Sequence, residues 1–177
     1  MDAENLRYTA PIVREILAGY RLSIHGIHGI AHWGRVLENG LQLAAQTGAD
    51  SMVVVLFAIF HDACRLNEDW DLDHGLRGAR LGHQMRASLP ALSDRQFDLL
   101  YESCRLHTDG LIDGDVTLQT CWDADRLDLG RVGISPSLDR LCTDAGRKLR
   151  DWAHERAVSR VVPKFVLELW SPPSRNE

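Results

Sequence analysis

The residues best suited to chemistry in this chain are a histidine and an aspartate side by side, His61-Asp62, at the end of its most apolar run, Val53–Phe60. Burying an imidazole and a carboxylate there is costly unless something binds both side chains. A divalent metal does so, since both groups are standard ligands for zinc, iron, manganese and related ions. Upstream lies His28-Gly-Ile-Ala-His32-Trp-Gly-Arg-Val36, and downstream Trp122-Asp-Ala-Asp125-Arg-Leu127. The ordered pattern is H…HD…D.

Nearly every segment that must position these residues reads as helix, so the expected class is all-α. Helices are expected over about 4–20, 28–47 and 51–64, the third capped by Asp50 or Ser51. Asp73 caps a fourth that stops before Pro90. Ser93 or Asp94 opens a fifth, ending near Thr108-Asp109-Gly110, and a sixth covers about 117–130. Ser135-Pro136 opens a short seventh. A long helix over about 144–160 follows, and then, past Pro163, the apolar piece Phe165–Trp170. No useful strand alternation and no internal repeat is present. The tail 171–177 is expected to be flexible.

Helical periodicity selects the polar groups that face inward. Leu118, Cys121, Trp122, Asp125 and Leu129 share one stripe, which turns Asp125 to the core and puts Asp123 on a different face. Phe97, Leu100, Tyr101 and Cys104 form a stripe that His107 continues. His74, Gly78, Leu81, Met85 and Leu89 line up, whereas His83 falls half a turn away. His28, His32 and Val36 share one side. The inward candidates are therefore His32, His61, Asp62, His74, His107 and Asp125. A lone inward histidine is more often a hydrogen-bonded core residue than a ligand, but groups converging on one site need a common partner. His83 and His154 read as surface residues, and His25 as loop or rim.

The motifs His32 (as H-x-x-R-V), His61-Asp62 and Asp125 (as A-D-R-L-D) resemble the HD-domain superfamily of metal-dependent phosphohydrolases over about residues 25–134. The resemblance implies an HD-domain-like helical bundle around a central metal site, in a single domain spanning 1–177 with helices over 135–170 appended. Four ligands, His32, His61, Asp62 and Asp125, resemble the mononuclear nucleotidases. Adding His74 and His107 resembles the two-metal branch, with Asp62 bridging both ions. That branch holds phosphodiesterases and also mixed-valent diiron oxygenases. Asp73-His74-Gly75 resembles its additional-metal segment, at a short spacing from HD. One or two divalent ions are expected, and ligand type does not distinguish Mn, Fe, Zn, Co, Ni or Mg.

The expected activity is hydrolysis of a small phosphorylated metabolite or nucleotide by a metal-activated water. The alternatives are an HD-type diiron oxygenase and a non-catalytic metal-containing binding protein. Asp62 is the carboxylate placed to orient or deprotonate that water. Arg65, three residues beyond Asp62, is the candidate to hold phosphoryl oxygens, with Arg77, His28 and Asn67 as further substrate contacts. Arg126 reads as a solvated charge. Glu68 or Asp69 is a candidate contact to substrate or to a ligand histidine. The four carboxylates of Arg65–Asp73 disfavour a highly anionic polyphosphate at the mouth.

The 177 residues, 45% hydrophobic and 25% charged, fit one ordinary globular domain. A net charge of −5 argues against broad nucleic-acid binding. The acidic N-terminus lacks a signal-peptide core, and the run Met52–Phe60 is too short for a bilayer, so a cytoplasmic protein without membrane contact is expected. The four cysteines show no C-x-x-C spacing and read as reduced thiols. Trp152, Phe165, Leu169 and Trp170 either pack the C-terminal helices onto the core or form a dimer contact, in a monomer or homodimer.

Overall fold

The computed structural model describes residues 3–171. Seven α-helices and no strand occur among them: α1 Thr9–Gly19, α2 Ile30–Thr47, α3 Ser51–Phe60, α4 His74–Gln84, α5 Asp94–Leu106, α6 Val116–Arg126 and α7 Asp144–Val158. The class is all-α, as the periodicity predicts. The expected flexible tail lies outside the described residues, apart from Ser171.

The centre of the bundle is α3. Val53 through Phe60 are all buried, which a helix apolar on every face requires. Fully burying a side chain of this kind stabilises the fold by about 1.5–3 kcal/mol. Helices α2, α4, α5 and α6 pack around it. Asp50 sets its start by accepting from the main-chain N–H of Met52 at 3.0 Å and of Val53 at 3.2 Å. Gln96 of α5 donates to the other oxygen of Asp50 at 2.8 Å. Ser93 and Gln96 form a capping box at the start of α5.

Two glycines let α4 come close enough to deliver its histidine. A Cβ on Gly78 would sit 2.2 Å from the Phe60 carbonyl oxygen, and one on Gly75 would sit 2.4 Å from that of Cys104. No side chain fits at those separations, so α4 lies directly on the ends of α3 and α5.

Several helix limits differ from expectation. The first helix begins at Thr9, after a 3-10 turn at Ala3–Leu6. A helix continuous from residue 4 would drive the Pro11 ring into the Arg7 carbonyl. The third stops at Phe60, and His61 to Arg65 tighten into turns, with Ala63 N–H bonding to Phe60 O and Arg65 N–H to Asp62 O. Asp73 occupies the N-cap of α4 but makes no side-chain capping bond. The piece after Pro136 is one 3-10 turn, Leu138–Arg140, and the last is π-helical, Val166–Trp170. Phe165 and Trp170 are buried, and Trp170 donates to Thr9 Oγ1 at 2.8 Å. No described helix is long and apolar enough to cross a membrane.

Candidate metal centre

Four buried histidines arrive from four directions: His32 from the first turn of α2, His61 from the end of α3, His74 from the start of α4 and His107 from the end of α5. Asp62 lies between them, and Asp125 reaches in from α6. These are the six inward candidates of the helical stripes, and the fold brings all six together.

The hydrogen bonds decide which nitrogen of each ring carries the proton. His32 Nδ1 faces Asp128 Oδ2 at 2.7 Å. His61 Nδ1 faces the carbonyls of Phe57 and Ala58, both at 3.2 Å. His74 Nδ1 faces Asp71 O at 2.5 Å, and His107 Nδ1 faces Cys104 O at 2.7 Å. Every Nδ1 meets an acceptor that has no proton to give, so each neutral ring holds its proton there and presents a bare lone pair at Nε2.

Those lone pairs point at one another. His32 and His61 approach Nε2 to Nε2 at 3.0 Å, as do His74 and His107. Between neutral rings of this tautomer, no proton joins either pair. Asp62 offers one oxygen to each pair: Oδ2 is 3.4 Å from His32 Nε2 and 3.8 Å from His61 Nε2, and Oδ1 is 3.2 Å from His74 Nε2 and 3.9 Å from His107 Nε2. Asp125 Oδ1 lies 3.5 Å from His32 Nε2 and 3.8 Å from His61 Nε2, buried and without a hydrogen-bond partner. Ligands held about 2.1 Å from one ion stand about 3.0–3.4 Å apart, close to these separations. The donor set therefore fits metal ions in two groups, His32-His61-Asp62 with Asp125 beside it, and Asp62-His74-His107.

Charge agrees with that fit. Burial pushes the His61 imidazole down to about 3 and lowers His107, so both rings are neutral, as a ligand must be. Burial alone would raise Asp62, but a proton on His61, His32 or His74 beside it holds it well below the usual carboxylate range. Asp125 is held down in the same way, by His61 and Arg131 against the effect of burial.

Supporting residues surround the ligands. Asp128, which the stripes did not single out, is buried and takes His32 Nδ1–H on one side. On the other, Arg35 donates from Nε at 2.6 Å and from Nη2 at 3.0 Å. Its signal was available, because Asp128 follows Asp125 by three residues. Arg131, also missed, has a largely covered side chain with Nη1 4.0 Å from Asp125 Oδ1. Asp123 is fully buried but turned to another element. It accepts from Cys142 N at 2.7 Å, Thr143 N at 2.9 Å and Thr143 Oγ1 at 2.7 Å, which anchors the start of α7.

The expected substrate contacts divide. Arg65 is buried beside the centre, with Nη1 3.5 Å from Asp62 Oδ1 and Nη2 donating to Asp69 O at 2.7 Å. It lines a cavity of about 300 Å³ together with His74, Asp69, Trp70, Asp71, Leu72, Thr108 and Asp109. Arg77 is drawn elsewhere, to both oxygens of Asp71 and to Cys64 O, and braces the loop. Asn67 is exposed, and its side chain accepts from Asp69 N inside that loop. His28 is buried and bonds Glu68 at 2.6 Å, which ties the loop before α2 to the loop after α3. Arg126 bonds the carbonyls of Leu111 and Arg140 rather than standing free in solvent. His83 is exposed, as expected, but His154 is half-buried against Gly130.

The fold matches that of a predicted HD superfamily hydrolase from an uncultured Thermotogales bacterium, with a TM-score of 0.67 over 97% of this chain and 100% of that one, at 22% sequence identity. No protein-family model and no curated protein sequence matches the chain. The molecule thus has the fold of an HD superfamily hydrolase and carries, at its centre, a buried histidine–aspartate group that can hold metal ions.

Proposed function

We propose that this protein is a metal-dependent phosphohydrolase acting on a small phosphorylated metabolite or nucleotide. One observation carries the reading: four imidazoles with their protons fixed at Nδ1 turn their Nε2 lone pairs onto the two oxygens of a single buried carboxylate, Asp62. Hydrogen bonds among the neutral rings do not satisfy that arrangement, and a pair of divalent cations does.

His32, His61, Asp62 and Asp125 would hold one ion, and Asp62, His74 and His107 the other. Bound there, metal supplies a water acidic enough to act as hydroxide near neutral pH and neutralises phosphoryl charge. Asp62, ionised and shared, is the carboxylate placed to accept a hydrogen bond from an attacking water and orient it. Arg65 meets the nonbridging oxygens of a phosphate that enters the cavity beside His74. The Asp128 carboxylate and the main-chain carbonyls of Asp71, Phe57, Ala58 and Cys104 keep the four rings in the required tautomer and orientation. The carboxylates of Asp69 and Asp109 at the cavity wall favour a monophosphorylated substrate over a polyphosphate.

The test is a screen of phosphorylated metabolites against metal-free protein reloaded with single divalent ions, read by phosphate release. Metal-dependent release that disappears in His61→Ala and Asp62→Ala supports the reading. Dioxygen consumption by an iron-loaded form, with no phosphate release, would replace it with the oxygenase alternative.

A further inference from the structure

The two halves of the centre are electrostatically unequal. The first half has two carboxylates, Asp62 and Asp125. The guanidinium beside Asp125, Arg131, also lies beside Asp128, with Nε 3.9 Å from Oδ2. The second half has only the shared carboxylate of Asp62, and a guanidinium is packed against it. Arg65 Nη1 is 3.1 Å from His74 Nε2, 3.4 Å from His74 Nδ1 and 3.5 Å from Asp62 Oδ1.

Similar distances to both ring nitrogens place this group over the face of the imidazole, so the Nε2 lone pair stays free. The other Arg65 donors go to neutral main-chain carbonyls, Asn67 O at 3.3 Å and Asp69 O at 2.7 Å. Its charge is therefore balanced chiefly by Asp62, the same carboxylate the second half needs. An ion bonded to His74 Nε2 at about 2.1 Å lies within about 5.2 Å of Arg65 Nη1, the sum of the two separations. Like charges that close weaken binding by about 100-fold or more, even at the effective dielectric of a protein surface.

We propose that Arg65 makes the second half-site the weak one and couples its filling to the arrival of an anionic phosphoryl group. The proposal rests on the metal-centre reading above. An anion seated between Arg65 and the second ion offsets their repulsion. The cavity of about 300 Å³ is lined by both Arg65 and His74, so a phosphate entering it meets both at once. Because linkage is reciprocal, phosphate tightens the second ion and the second ion tightens phosphate by the same factor.

The experiment is a titration of metal-free protein with Mn²⁺, read as free Mn²⁺ by electron paramagnetic resonance, with and without inorganic phosphate. The wild type should fill in two steps about 100-fold or more apart. Phosphate should move the second step to lower Mn²⁺ by about tenfold or more and leave the first in place. Arg65→Met should tighten the second step by at least about tenfold without phosphate. Arg65→Lys, which keeps the charge, should retain a weak second step. Two equal steps in the wild type, a second step that ignores phosphate, or one that is no tighter in a folded Arg65→Met overturns the proposal. Absence of Mn²⁺ binding in every form overturns the metal-centre reading and this proposal with it, and is distinct from each of those results.

Discussion

Asp128 holds His32 from behind: its Oδ2 accepts the Nδ1 proton at 2.7 Å while Arg35 grips the same carboxylate at 2.6 and 3.0 Å. This fixes the tautomer that leaves His32 Nε2 free for metal. Asp128→Ala should lower metal affinity by about 10–100-fold. It should also destabilise the fold by about 3–5 kcal/mol, because Arg35 is left buried and uncompensated. Asp128→Asn, which keeps an acceptor for His32, should fall between. Metal competition assays and denaturant midpoints read both effects, and unchanged affinity in Asp128→Ala would refute the role.

Asp123 and Asp125 sit two residues apart and do different things. Asp125→Asn should weaken metal binding with little change in helix content. Asp123→Ala should cost roughly 2–4 kcal/mol by removing three buried acceptor contacts at the start of α7, yet bind metal normally once folded. Comparing metal affinity with thermal stability for the two variants separates the roles, and the reverse pattern contradicts them.

The two-group ligand set predicts a stoichiometric pattern. At saturating metal, His74→Ala and His107→Ala should each fall from about two ions per chain toward about one. His83→Ala should stay at about two, since His83 is exposed and packs on Phe97. Metal analysis after gel filtration in metal-containing buffer measures this. Intact stoichiometry in both of the first two variants would mean a single-ion centre.

Acid should destabilise the metal-free protein well above the carboxylate range. The folded His61 titrates at about 3 because of burial, against about 6.5 in an unfolded chain. Between those values the unfolded chain binds more protons, so stability rises with pH. It is therefore lost as pH falls from about 6.5, by at most about 1.4 kcal/mol per unit from this residue. His107, lowered chiefly by burial, acts in the same direction. Asp62 and Asp125, held low in the fold, add a further loss below about pH 4. Urea midpoints measured from pH 7 to 4 should fall steadily, and a flat profile between 6.5 and 4.5 contradicts this.

Much of the centre was legible because α-helical phase is a local property. The stripes of α4, α5 and α6 turned His74, His107 and Asp125 inward without reference to any partner. What escaped depends on contacts between distant segments. Asp128 meets Arg35 across 93 residues of sequence, and His28 meets Glu68 across 40. Neither pairing has a periodic signature. Phase also tells which face a residue is on, not what covers that face. Asp123 was correctly separated from the ligand stripe, but the start of α7 buries it completely. The loop from Arg65 to Asp73 was recognised by its charges, whereas their use was not. Asp71 is spent on Arg77 and Glu68 on His28, which leaves Arg65 as the guanidinium at the cavity.

Asp62 is the one residue that both halves of the centre share, so its replacement tests the central claim most directly. Wild-type protein stripped with chelator and reloaded should bind about two divalent ions per chain. Asp62→Ala should retain its circular-dichroism helix signal and lose tight binding at both sites, along with any metal-dependent phosphate release. Metal binding in Asp62→Ala equal to wild type, in number and affinity, would contradict the account.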